Sequence, residues 1–73
     1  MGSMQDRIME AAVRMDGPFT TADMTMAIYG DTRCGHMTHV RKRLQSLVEW
    51  GDLARVGRKN VGGVLMMVWR LDR

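Results

Sequence analysis

Seventy-three residues, 45% of them hydrophobic and 26% charged, with a net charge of +3, make one small domain with no room for a second core. No apolar run approaches a membrane span, no secretion signal is recognisable, and the single Cys34 has no partner for an internal disulfide. The expectation is a cytoplasmic protein with no membrane contact.

Met1-Gly2-Ser3 ahead of Met4 reads as an expression-tag remnant, which leaves a single domain over residues 4–73. The first helix is expected over Met4–Met15, with Met4, Ile8, Ala11, Ala12 and Met15 as its inward stripe. Asp16-Gly17-Pro18 ends it, because Gly caps and Pro cannot continue. Phe19 belongs to a brief extended link. Thr20 is a natural N-cap for a second helix, with Asp23 as the capping-box acid and Phe19 and Met24 spaced as a hydrophobic staple. Ala27 and Ile28 continue that buried face, and Gly30 closes the helix after Tyr29.

Asp31-Thr32 is the next turn and candidate cap, and a third helix is expected over about residues 33–50. Val40, Leu44, Leu47 and Val48 share one face of it, with Arg41, Lys42 and Arg43 early in the helix and Lys42 nearly opposite the stripe. Gly51 supplies a left-handed cap, and Trp50 beside it is expected to cover the helix end. Leu53–Val56 reads as a short strand, Gly57-Arg58-Lys59-Asn60-Val61-Gly62-Gly63 as a glycine-rich loop, and Val64–Leu71 as a strand with Trp69 and Leu71 facing the core.

Charge divides unevenly along the chain. Residues 1–32 set Arg7 and Arg14 against five acids, a net of −3, while residues 33–59 set seven cations against Glu49 and Asp52, a net of +5. A positive half on a mildly acidic scaffold orients a polyanion toward one surface. Cys34, His36 and His39 carry zinc-ligand chemistry, and Asp31 could join them, but no second Cys or third His exists to close a structural site, so no metal is expected. Two tryptophans, one Tyr and one Phe are too few for an aromatic platform that stacks single strands. The chain has no phosphate-cradling Gly-Lys motif and no acid pair with a pocket to tune it, so neither enzymatic activity nor a cofactor is expected.

Three helices followed by a hairpin with a basic tip resemble a winged helix-turn-helix domain of the small prokaryotic, archaeal or phage regulator type. The likeness is carried by Phe19-Thr20-Thr21-Ala22-Asp23, by Val40, Leu44, Leu47 and Gly51-Asp52-Leu53, and by Val68-Trp69-Arg70-Leu71, and it spans about residues 4–72. It implies an α+β fold, a three-helix winged helix-turn-helix with a C-terminal β-hairpin wing, that binds double-stranded DNA and regulates transcription. The third helix would then lie in the major groove. Gly35, Thr38, His39 and Lys42 would point outward, with His36, Arg41 and Arg43 on the flanks and Arg33 at the helix start. The wing would carry Arg58 and Lys59 at its tip, suited to minor-groove or phosphate contact. The chain lacks the extra dimerisation helix of many such regulators, which leaves a homodimer open. The alternative is a winged-helix protein-interaction module without DNA binding, to which an exposed apolar patch of Met26, Met66 and Trp50 would contribute.

Overall fold

The computed structural model describes residues 3–72. Six elements follow in the order α1 (Met4–Met15), β1 (Phe19–Thr20), α2 (Thr21–Tyr29), α3 (Cys34–Glu49), β2 (Leu53–Val61) and β3 (Val64–Leu71). The fold is α+β. Three helices pack on an antiparallel sheet of strand order β1-β3-β2, in a winged-helix-like arrangement that ends in a hairpin.

Local chemistry sets the helix boundaries. Ser3 caps α1: its hydroxyl accepts from the Asp6 N–H and the Asp6 carboxylate accepts from the Ser3 N–H, both at 3.2 Å. The residue set aside as a tag remnant thus satisfies backbone donors of the first helix. Thr20 and Asp23 form the expected capping box on α2, at 3.1 and 3.0 Å, and the staple residues Phe19 and Met24 are both buried. The left-handed cap of α1 falls on Asp16 (φ 48°) rather than on Gly17, a conformation Asp tolerates better than most side chains. Gly30 (φ 77°) closes α2 as expected, and Arg7 of α1 donates to the Ile28 carbonyl at 3.1 Å, satisfying an acceptor of its last turn. At the end of α3, Asp52 N–H bonds to Leu47 O at 2.9 Å and Gly51 N–H to Val48 O at 3.1 Å, the paired contacts of a Schellman motif.

Every element contributes to one core: Ile8 and Ala12, Phe19, Met24, then Val40, Leu44 and Leu47 from α3, Leu53 from β2 and Trp69 from β3. The inward stripe of α3 and the choice of Trp69 as a core residue are as expected. Ala27, in contrast, is exposed; α2 buries Thr21, Met24 and Thr25 instead. Those threonines are tolerable inside because their hydroxyls are satisfied. Thr25 donates to the Thr21 carbonyl at 2.7 Å, and Thr21 accepts from the buried indole N–H of Trp69 at 3.0 Å.

The sheet departs from the expected two-stranded hairpin in two ways. Phe19 and Thr20 pair with Trp69 and Val68, so the extended link is a third strand. In addition, β2 runs to Val61 rather than stopping at Val56, and only Gly62-Gly63 remain as the turn. Both glycines have positive φ (57° and 85°), which suits the primed turn that a two-residue hairpin requires. Val56 is the extra residue of a bulge between Arg55 and Gly57, so the strand passes Gly57 without losing its pairing.

Thr21→Val, close in shape but unable to accept, should leave the buried Trp69 N–H orphaned. Equilibrium unfolding should report a loss of about 1–3 kcal/mol, and an unchanged midpoint would mean the bond contributes nothing.

Candidate nucleic-acid interface

With Val40, Leu44 and Leu47 buried, the helical period turns the opposite side of α3 to solvent. Lys42 is exposed there, and His39, Arg41 and Arg43 are exposed on the flanks. Gly35 lies in the first turn with helical φ, and a Cβ built on it would meet nothing within 4 Å. No packing within the molecule therefore calls for glycine at this position. Thr38 is half-buried, and its hydroxyl donates to the Cys34 carbonyl at 2.9 Å, which leaves the oxygen's lone pairs free to accept. Arg33 is the N-cap residue of α3 and provides no side-chain cap; neither Asp31 nor Thr32 is the cap that was expected.

Asp31 has another role. Its carboxylate accepts from the Arg33 N–H at 3.1 Å and contacts His36 Nδ1 at 2.7 Å, while the His36 ring stacks on Tyr29 with centroids 4.0 Å apart and planes 6° from parallel. The end of α2, the turn and the start of α3 are thereby joined. His36, expected among the residues facing DNA, is occupied in holding this turn. Among the described residues no three Cys, His, Asp or Glu side chains converge to hold a metal ion, and the pairing of Asp31 with His36 accounts for the part of the Cys-His cluster that does come together. No motif around Tyr29 marks it for this role. Its seven-residue spacing to His36 across a turn gives no periodic signal, because the two rings sit on different helices.

The hairpin moves the remaining candidates. Arg58 and Lys59 are exposed, but they lie within β2, paired across from Met67 and Met66, and not at the tip. Adjacent residues of a strand point to opposite faces, so the two cations diverge. Through the register, Arg58 shares the face of Met67 and Trp69, and Lys59 the outer face. Arg55 and Arg70, which were not among the expected contacts, are both exposed on the same hairpin. From Leu53 to Leu71 the chain holds these four cations and no acid. That signal was legible as a composition run.

No helix among the described residues is long and apolar enough to cross a membrane. Comparison with protein-family models, curated proteins and solved structures finds no match.

The hydrogen bond from His36, followed by that from the Arg33 N–H, holds the Asp31 carboxyl below its ordinary value of 3.8. A depressed carboxylate stabilises the fold fully above its unfolded pKa, and that contribution is lost as pH falls through the lower folded value. The NMR titration of Asp31 should therefore have its midpoint below 3.8, and His36→Ala should move it back up. A midpoint indifferent to His36 would remove the turn contact.

Proposed function

We propose that this chain binds double-stranded DNA and acts as a transcriptional regulator by occupying an operator, working in the cytoplasm on the nucleoid. The observation that carries this reading is the placement of exposed cations. Arg41, Lys42 and Arg43 lie on the solvent side of α3, and Arg55, Arg58, Lys59 and Arg70 on a hairpin with no acid. A helix fits the major groove, which is about 12 Å wide, with its buried stripe turned away from the bases. His39, Lys42 and the outward side of Thr38 are the groups that reach base edges or phosphates; Arg33, Arg41 and Arg43 flank them. His36 acts through the turn, as a positioning residue. The hairpin adds backbone affinity with little sequence preference. Nothing in this arrangement requires two copies, and the length of the protected footprint separates a monomer from a homodimer.

A salt-dependent shift assay against a random duplex pool tests the reading directly. Lys42→Ala should leave thermal unfolding nearly unchanged and weaken duplex binding. A base-edge contact would cost roughly 1–3 kcal/mol of discrimination at one position, and a phosphate contact would weaken all sequences together. Removing Arg58 and Lys59 together should weaken every duplex alike and reduce the salt slope by about one to two units. Equal binding by parent and variants at every salt concentration would end the proposal.

Gly35 offers a test with opposite signs. Alanine there meets open space and favours the helix, so Gly35→Ala should stabilise the free protein by up to about 1 kcal/mol, the full value belonging to a helix interior. If a duplex backbone packs against that turn, the same change should reduce affinity. A variant both more stable and undiminished in binding would place the duplex elsewhere on α3.

The second reading, a protein-interaction module, draws on Trp50. Instead of covering the helix end, this side chain is 67% exposed, and Met26 on α2 is 51% exposed. NMR perturbations confined to these residues when a protein partner is added, with none in α3 when DNA is added, would favour that reading.

A further inference from the structure

The tip of the hairpin is apolar where a solvated turn would be polar. Val61, Val64 and Leu65 surround Gly62-Gly63, and the last two are 56% and 61% exposed. By register, Val61 and Val64 face each other on the outer face, while Leu65 lies on the opposite face with Asn60. The turn between them has no side chains, so the tip is slim with apolar flanks on both faces. It is also fixed in advance, since the Gly63 N–H donates to the Asn60 side-chain oxygen at 2.9 Å. A preset tip loses little conformational freedom on docking.

Resting on the DNA-binding reading, we propose that this tip is a wedge. It enters the minor groove of the bound duplex, places Val64 and Leu65 against a base step, and kinks the helix there. Aliphatic side chains inserted at a step unstack it and bend the duplex toward the major groove. Charge favours this occupant. Lys59 and Arg58 sit about 7 and 10 Å behind Val61 along the strand, so cations follow the apolar tip at the distance of the flanking phosphates. With no acid between Leu53 and Leu71, nothing on the hairpin repels a polyanion. A membrane is a poorer fit, because interfacial anchoring uses a broad apolar face commonly bearing Trp or Phe, and this tip has three aliphatic residues. A second copy of the hairpin would bring its own four cations against these.

The test uses the whole chain and duplexes carrying 2-aminopurine beside a flexible TA step, with donor and acceptor dyes on the two ends. The parent should raise 2-aminopurine fluorescence and shorten the end-to-end distance by the equivalent of a bend between about 20° and 90°. The double variant Val64→Ser with Leu65→Ser alters only exposed side chains. Its unfolding and salt slope should match the parent's, while the fluorescence rise and the shortening are lost. A parent that binds duplexes without either signal, at every step in a tiled set, overturns the wedge and leaves DNA binding standing. A parent that binds no duplex removes both. Vesicles of phosphatidylserine and phosphatidylcholine, and sedimentation of the protein alone, complete the set. Capture by the vesicles, or self-association, that the double serine variant abolishes would assign the tip to lipid or to a second copy and overturn the wedge.

Discussion

Trp69 fixes the relation between the sheet and the helices. It sits on the central strand, fully buried, and its indole N–H reaches the hydroxyl of Thr21 in the first turn of α2. A side chain of this size contributes much of the apolar area available to so small a core, and its polar atom has to find a partner inside. Thr21 provides one. Phe19 pairs with Trp69 across the sheet while stapling the start of α2 against Met24, so strand pairing and helix capping meet within three residues. The angle between α3 and the hairpin follows from this junction, because β3 carries the wing and α2 carries the turn into α3. The exposed side of α3 and the hairpin are thereby held to one rigid centre.

Polar roles are divided between the helix ends and the exposed faces. Three of the eight acids, Asp6, Asp23 and Asp31, sit at the turn and the helix caps, where each accepts from a backbone N–H group. The outward side of α3 through Arg43 and the whole hairpin carry cations instead. Asp6 and Asp23 are engaged with the backbone of their own caps, while Asp31 also lies 3.9 Å from the Arg33 guanidinium. His36 belongs with the acids in this scheme: it completes the turn by stacking on Tyr29 and contacting Asp31, so that neighbouring cations on α3 start from a defined helix end.

The parts of the fold that were legible in the sequence are those set by local rules. Thr20-Asp23, Gly30 and Gly51 announced helix ends through capping chemistry, and Val40, Leu44 and Leu47 announced a buried face through the helical period. What the sequence does not announce depends on residues far apart in the chain. Phe19 and Thr20 become a strand because β3 returns beside them, and no two-residue segment announces that. Thr21 and Thr25 are buried, which no periodicity announces, since the burial of a hydroxyl is decided by its partners. Gly57 suggested the end of a strand; the bulge at Val56 and continued pairing with β3 override its preference, which moved Arg58 and Lys59 from a loop into a ladder. His36 was placed by periodicity on a flank of its helix, and that flank meets Tyr29 and Asp31 instead of water alone. The exposed position of Trp50 follows from the Schellman motif, which satisfies the helix end by backbone alone and leaves the ring nothing to cover.

The short length of β1 has a consequence for how separate molecules meet. It covers β3 only at Val68 and Trp69, so from Val64 to Met67 that strand has a bare side, and β2 is bare along its outer side. Unpaired strand edges are templates for another chain, and the apolar residues near this turn would reward such pairing. Two features oppose it. The Val56 bulge twists the ribbon out of the flat form that stacks well, and Arg58 and Lys59, on opposite faces, make any sheet formed from two such ribbons repel itself on both sides. The protection is ionic, so it is strongest in dilute buffer and weakens as salt is added. The cations of the hairpin thus also oppose edge-to-edge pairing between copies of the chain.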